Sequence, residues 1–351
     1  VTRLENDRVT RWVVGGLVLA AAGAVVLSVA VGSVTIAPDR VVGVIADRTL
    51  PGVGAGGSTE VEARIVWEFR LPRALLGLVV GAALAVAGAV LQAVTRNPLA
   101  DPYVFGVSSG ASVGAVAVLT LGAGTLGGVL GGVSVPVAAF VGALVTTVVV
   151  HLLAQEAGRA TPARLVLAGV AVSYVLTAVT SVLVLRASEP GAGVASVLTW
   201  LAGSLGSASW ADLALPTVVV VTGTVVLVAS ARVLNAFLTG DETATSLGVD
   251  VGRVRLLLFG GTALLVGTVV AVSGAIGFVG LVVPHAVRAL VGADHRRVLP
   301  VAALAGGVLV VVVDVVARTV LAPTELPVGL LTAAVGGPFF LWILRRSRAW
   351  S

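Results

Sequence analysis

Asp314 is the only acidic residue deep in an apolar run, Val308 to Val320. Arg318 follows four residues later, one helical turn on and on the same face. Charge in lipid is costly, so such a residue is neutralised by a neighbour or retained for function. Both readings stand here. The two could form a self-neutralising pair that tolerates burial. Alternatively, Arg318 sits at the outer end of its helix, anchored by Asp314 and presented to a partner. A proton relay asks for several carboxylates or His inside the spans. Apart from His285 and residues at helix ends these are missing, which argues against ion-coupled transport.

The three histidines, His151, His285 and His295, show no metal-ligand spacing. His151 and His295 fall near inner boundaries and read as interfacial. His285 follows Pro284 in an apolar helix and reads as a packed, hydrogen-bonded side chain. No nucleophilic triad, paired-carboxylate site or Gly-rich phosphate loop is visible. Arg70-Leu71-Pro72-Arg73 opens an apolar run, with Pro at a helix start. Two Arg three residues apart serve either as interfacial anchors or as a basic patch matching carboxylates on a soluble partner. Arg318 would be its third member. The polar stretch Gly240 to Gly248 predicts a short helix over Asp241–Leu247, with acids in its first turn and Gly248 as its stop. It is either a plain connector or a knob fitting a cleft on a cytoplasmic motor.

The elements that must position these residues are membrane spans. The chain has 351 residues, 58% hydrophobic and 11% charged, with mean hydropathy +1.10. A soluble fold cannot hide that much apolar surface, so the chain is an all-α integral membrane protein. It has no Cys and no Lys. Disulfides, thiolate metal sites, a Schiff base and the Lys of a nucleotide-binding P-loop are therefore excluded. The net charge of +5 is no nucleic-acid signal, because the Arg residues map to helix ends.

Apolar runs predict about ten spans: Trp12–Gly32, Trp67–Val94, one from Val104, then residues 135–153, 165–185, 210–229, 256–273, 276–291, 299–320 and 327–344. The first is too long for a signal-peptide core. Residues 33–66 read as an outer polar loop, a Gly-rich stretch to Gly132 as a turn, Val194–Leu205 as a short outer helix, and 231–255 as the main inner loop. Gly106, Gly110 and Gly114 form a ladder for close helix approach. An even count puts both termini in the cytoplasm. Fifteen Arg then fall inside and seven outside, as the positive-inside rule requires.

The run from Gly81 to Val90 matches that from Gly267 to Ile276 at an offset of 186, and Pro98 and Pro284 obey the same offset. The copies fall in the second and seventh spans, so they cross in opposite directions. This predicts one domain, 1–351, with inverted repeat halves of about 12–205 and 210–345.

The chain resembles the FecCD-type permeases over nearly its whole length. The resemblance rests on Arg70-Leu71-Pro72-Arg73, the run from Gly81, Gln92, Asn97-Pro98-Leu99-Ala100-Asp101-Pro102 and Gly106 to Ala111. In the second half it rests on Gly274 to His285, Asp294-His295-Arg296, Asp314 to Arg318, and Glu325 to Gly329. That family supplies the membrane subunits of type II ATP-binding-cassette (ABC) importers for ferric siderophores, haem or cobalamin. The resemblance implies a bacterial cytoplasmic membrane and a second permease subunit, the same or a paralogue. It also implies a cytoplasmic ABC ATPase dimer that uses ATP and Mg, and an extracytoplasmic substrate-binding protein. This chain would hold no cofactor or metal and contact no nucleic acid. Arg70, Arg73 and Arg318 would dock the binding protein. Gly240, Asp241, Ala244, Leu247 and Gly248 would couple to the ATPase. Asn97, Leu99 and Thr161 would lie at the cytoplasmic gate, although Pro162 departs from the more polar loop expected there. The fifth and tenth spans would face the pathway and the partner subunit. An ion-coupled secondary transporter is the alternative, since inverted repeats suit both.

Overall fold

The computed structural model describes residues 3–32, 34–50, 58–121, 133–156, 159–187 and 194–346. Lipid offers no hydrogen bonds to a bare backbone, so the apolar runs close on themselves as helices. In chain order these are α1 (Arg3–Ala30), α2 (Pro38–Thr49), α3 (Glu60–Thr95), α4 (Val107–Leu121), α5 (Val135–Ala154), α6 (Pro162–Ala187) and α7 (Val194–Ala202). There follow α8 (Trp210–Ala229), α9 (Ala231–Leu238), α10 (Asp241–Ser246), α11 (Val251–Ser273), α12 (Val279–Val291), α13 (His295–Thr319) and α14 (Val328–Arg346). A two-residue antiparallel hairpin, Gln155–Glu156 with Arg159–Ala160, joins α5 to α6. Among the described residues, seven helices are long and apolar enough to cross a membrane: α1, α3, α5, α6, α8, α11 and α13. Apolar segments in α4, α12 and α14 are shorter, and with them the described total matches the ten spans read from sequence.

Polar residues outside the spans set the helix starts. Thr59 and Glu62 form a reciprocal capping box at α3, with Glu62 N donating to Thr59 Oγ1 at 3.2 Å and Thr59 N to Glu62 Oε2 at 2.8 Å. Ser209 and Asp212 pair in the same way at α8. Asp250 and Asp294 cap α11 and α13 through the backbone N–H groups of Arg253 and Arg296.

One expectation is corrected. Residues 33–66 are not a plain loop, for α2 and the first turns of α3 lie in them. Val41 and Val44 recur at helical spacing and pack on Val29, Ala30, Ile36, Val66, Leu71 and Ala74. Arg40 ties α2 to α3 through Glu62 at 2.8 Å. The six residues Ile65–Arg70 of α3 form a π-helical turn. The Trp210 indole donates to the Trp67 carbonyl there at 2.8 Å, and the two rings meet at a 40° tilt with centres 5.1 Å apart. The Gly-rich stretch before Gly132 lies mainly outside the described residues.

The core is the contact of α3 with α13, α12 and α11. A Cβ at Gly81 would overlap the backbone of Gly306 on α13. Gly267 of α11 faces Ala143 of α5. The helices run 25 residues (Leu71–Thr95), 15, 20 and 26 in the first half of the chain, and 23, 13, 25 and 19 in the second. Pro98 lies in the connection after α3 and Pro284 inside α12. Of the Gly ladder, Gly110 and Gly114 meet Gly142 and Ala138 of α5, while Gly106, at φ 81, ends the 3-10 turn Pro102–Phe105.

The connections after α3 and α11 meet inside the bundle. The Tyr103 hydroxyl accepts from Ile276 N at 2.8 Å and donates to Ile276 O at 2.9 Å. Tyr103→Phe removes both bonds and leaves a buried amide without its partner. A stability loss of ~1–3 kcal/mol is expected. Thermal unfolding in detergent checks this, and an unchanged midpoint contradicts it.

Candidate functional site

At one end of the bundle, the C-terminus of α1 presents carbonyls with no intrahelical partner. Two arginines satisfy them. Arg70 donates to Val29 O at 2.8 Å, to Ala30 O at 3.2 Å and to Val34 O. Arg318 donates to Ser28 O at 3.0 Å, to Ser28 Oγ at 2.9 Å and to Val31 O at 3.3 Å. Cations at a helix C-terminus also complement its dipole. Asp314 sits between two guanidinium groups. Arg73 approaches it through Nε at 3.0 and 3.1 Å and Nη2 at 2.9 Å, and Arg318 through Nε at 3.1 Å. Arg73 also pairs with Glu325 at 2.8 Å, whose side chain is half exposed.

The structure thus brings Arg70, Arg73, Arg318 and Asp314 together, but turns them inward. The three arginines are 7%, 9% and 8% exposed and Asp314 is 1% exposed. Within this chain they do not form a bare basic patch. Its complementary carboxylates and carbonyls come from this chain, from residues far away in sequence. Asp314 and Arg318 are a pair, as read, with Arg73 as the unforeseen third member.

The polar stretch 231–255 lies at the opposite ends of α3, α8, α11 and α13. α9 buries Ala231, Leu234 and Phe237 at three-residue spacing. Gly240, at φ 106, turns the chain into α10, and Gly248, at φ 84, closes it. Val249 N bonds Ala244 O at 3.0 Å, the hydrogen bond of a Gly-closed helix end. Of the five residues assigned to coupling, Leu247 and Gly248 are exposed and Gly240 is half-buried. Ala244 is fully buried, so it packs α10 onto the bundle and cannot itself touch a partner. Asp241 also turns inward. It accepts from Arg255 Nη2 at 2.8 and 3.0 Å and lies 3.8 Å from Arg96. Arg255 is buried, with its guanidinium 5.6 Å from the centre of the Phe237 ring.

The residues expected at a gate, Asn97, Leu99 and Thr161, fall on two connections. Asn97 accepts from Leu99 N at 2.9 Å, and both are exposed beside Arg96. Thr161 precedes Pro162 at the start of α6, a good place for Pro. Thr161 lines a cavity of about 750 Å3 together with His151, Leu165, Asp241, Arg255 and Phe259. Asn97 and Leu99 stand outside that lining.

The histidines separate. His151 Nε2 is 3.0 Å from Gln155 Nε2. His295 is wholly buried rather than interfacial, because Asn235 of α9 reaches its Nδ1 at 2.8 Å and accepts from its backbone N–H at 2.9 Å. Asn235 also donates to Asp294 at 2.7 Å. His285 is exposed on α12, where a packed side chain was expected. Gln92 donates to Gly280 O at 3.2 Å and accepts from Arg288, joining α3 to α12. Arg96, Arg255, Asn235 and Arg288 were not singled out by sequence reading. Their only local signal is a polar residue at the end of an apolar run.

Seven long apolar helices, three shorter apolar ones and a polar projection at one end, among the described residues, define a multi-pass membrane fold. The model of the FecCD transport family matches residues 17–346, and the chain belongs to that family. It is 45% identical over 289 residues to the cobalamin import system permease protein BtuC of Halobacterium salinarum, covering 82% of this chain and 75% of that one. It is 44% identical over 286 residues to the hemin transport system permease protein HmuU of Yersinia pestis, covering 81% and 84%. A solved inward-facing ABC transporter, assigned to the metal-chelate type, superposes with TM-score 0.81 at 30% identity, covering 96% and 99% of the two chains.

Proposed function

We propose that this chain is the membrane-spanning subunit of an ABC importer in a bacterial cytoplasmic membrane, with both termini cytoplasmic. Two such subunits enclose the pathway, an external binding protein delivers a ferric siderophore, haem or cobalamin, and two ATPases supply the energy. ATP and Mg belong to those ATPases. The family, and relatives named for cobalamin and hemin, support the substrate class. In this reading Arg70, Arg73 and Arg318 shape the outer rim on which the binding protein docks, rather than pairing with it as free cations.

The observation that carries the reading is α10. It is a short helix outside the spans, anchored by buried Ala244 and by Asp241 on Arg255, with Glu242, Thr243 and Leu247 turned outward. Leu247 is 68% exposed at a polar surface. An apolar side chain on such a knob suits a hydrophobic socket on a soluble partner. Leu247→Glu is expected to lower the affinity for the ATPase by ~10-fold or more, measured by co-purification and titration in detergent. Unchanged affinity would sink the docking assignment.

A further inference from the structure

Arg96 occupies a backbone position that disfavours it. It ends α3 at φ 51, ψ 33, in the left-handed region. Its N–H bonds Ala93 O, and Asn97 N bonds Gln92 O, each at 3.2 Å. This is the helix ending in which Gly usually stands, because a side chain there is strained. Here the side chain has a destination. It runs to α10, where Arg96 Nη2 lies 3.8 Å from Asp241 Oδ1. Gly240 lies beside it, for a Cβ there would be in ordinary van der Waals contact with Arg96 Nη1, at 3.4 Å.

The two arginines on Asp241 differ in kind. Arg255 is buried and holds both carboxylate oxygens, so α10 and the start of α11 move as one piece. Arg96 is about half exposed and makes one longer contact, which is readily broken and re-formed. Asn97 follows it directly, with Leu99 two residues further on the same connection. From this geometry we infer that Asp241 and Arg96 form a breakable latch between the docking helix and the connection bearing Asn97 and Leu99. The inference rests on the importer reading. Motion of α10 against the ATPases changes the Asp241–Arg96 distance, and the strained end of α3 passes that change to the connection. Arg96 thus acts through Asp241 and the connection, as a positioning residue.

The strain gives a clean test. Arg96→Gly removes the cation and relaxes the backbone, so it cannot act by misfolding this helix end. Arg96→Lys keeps both the cation and the strain. Each variant is assembled with its ATPase and binding protein in proteoliposomes and offered cobalamin, haemin and a ferric siderophore in parallel. The readout is cargo imported per ATP hydrolysed. Arg96→Gly is expected to lower this ratio at least about fivefold, the smallest step usual for coupling between sites. ATPase binding and thermal stability should be unchanged, and Arg96→Lys should recover most of the ratio. A wild-type ratio in Arg96→Gly overturns the latch while leaving the importer reading intact. Loss of ATPase binding in Arg96→Gly places Arg96 at the motor interface and also overturns it. Wild-type uptake indifferent to ATP overturns the importer reading, and the latch with it.

Discussion

Asp314→Ala is expected to destabilise the protein by ~3–5 kcal/mol, the usual cost of removing one partner from a buried ion pair. The cause is the cations left behind. Arg73 and Arg318 both direct Nε at this carboxylate, at 3.0 and 3.1 Å, and both are less than a tenth exposed. Without Asp314, Arg73 keeps only Glu325, and Arg318 keeps only neutral acceptors at the end of α1. Like charges then face each other where water is scarce. The damage should spread beyond α13, because Arg318 also fastens α1 through Ser28 and Val31. Asp314→Asn should lie between the wild type and Ala, since an amide oxygen still accepts a hydrogen bond but carries no charge. Thermal unfolding in detergent separates the three. Equal midpoints for wild type and Asp314→Ala contradict the network.

The second large effect is steric. Gly88→Ala puts a Cβ onto the carbonyl of Gly280, where α3 crosses α12. Both sides are backbone, so no side chain can rotate away, and the helices must separate. Overpacking costs ~1–3 kcal/mol, occasionally more, and this site should fall at the upper end. Separation would also stretch the Gln92 bond to Gly280, 3.2 Å long, which joins the same helices. Gly260→Ala on α11 is the control, because no atom lies within 4 Å of the added Cβ. Alanine exceeds glycine in helix propensity by ~1 kcal/mol, so that variant should be neutral or slightly stabilised. Equal losses from the two substitutions would show that the crossing is looser than the backbone contact implies.

The spans were legible because lipid leaves the chain little choice. Trp210–Ala229 can be read from sequence to both ends, since the apolar run starts and stops there. α2 was not legible as a helix. Its twelve residues carry Asp39, Arg40, Asp47 and Arg48, and their mean polarity hides the spacing of Val41 and Val44. The membership of the charge network was partly legible, because Arg70, Arg73, Asp314 and Arg318 each stand out against apolar neighbours. Its burial was not. That depends on Asp314 meeting Arg73 across 241 positions of chain, and on α1 ending beside Arg318. His295 makes the same point. Near a span boundary it looks interfacial, but Asn235, sixty positions away, removes its need for water. Asp241 was found for its place at the start of a short helix. That it pairs with two arginines of its own chain could be learned only from the fold.

Transport itself is the most direct test. The chain would be reconstituted into proteoliposomes with its ATPase and binding protein, with cobalamin, haemin and a ferric siderophore offered in parallel. The account predicts that one cargo accumulates inside only when ATP is supplied, and only with the binding protein present. Accumulation that ignores ATP and follows an imposed proton or sodium gradient would contradict it.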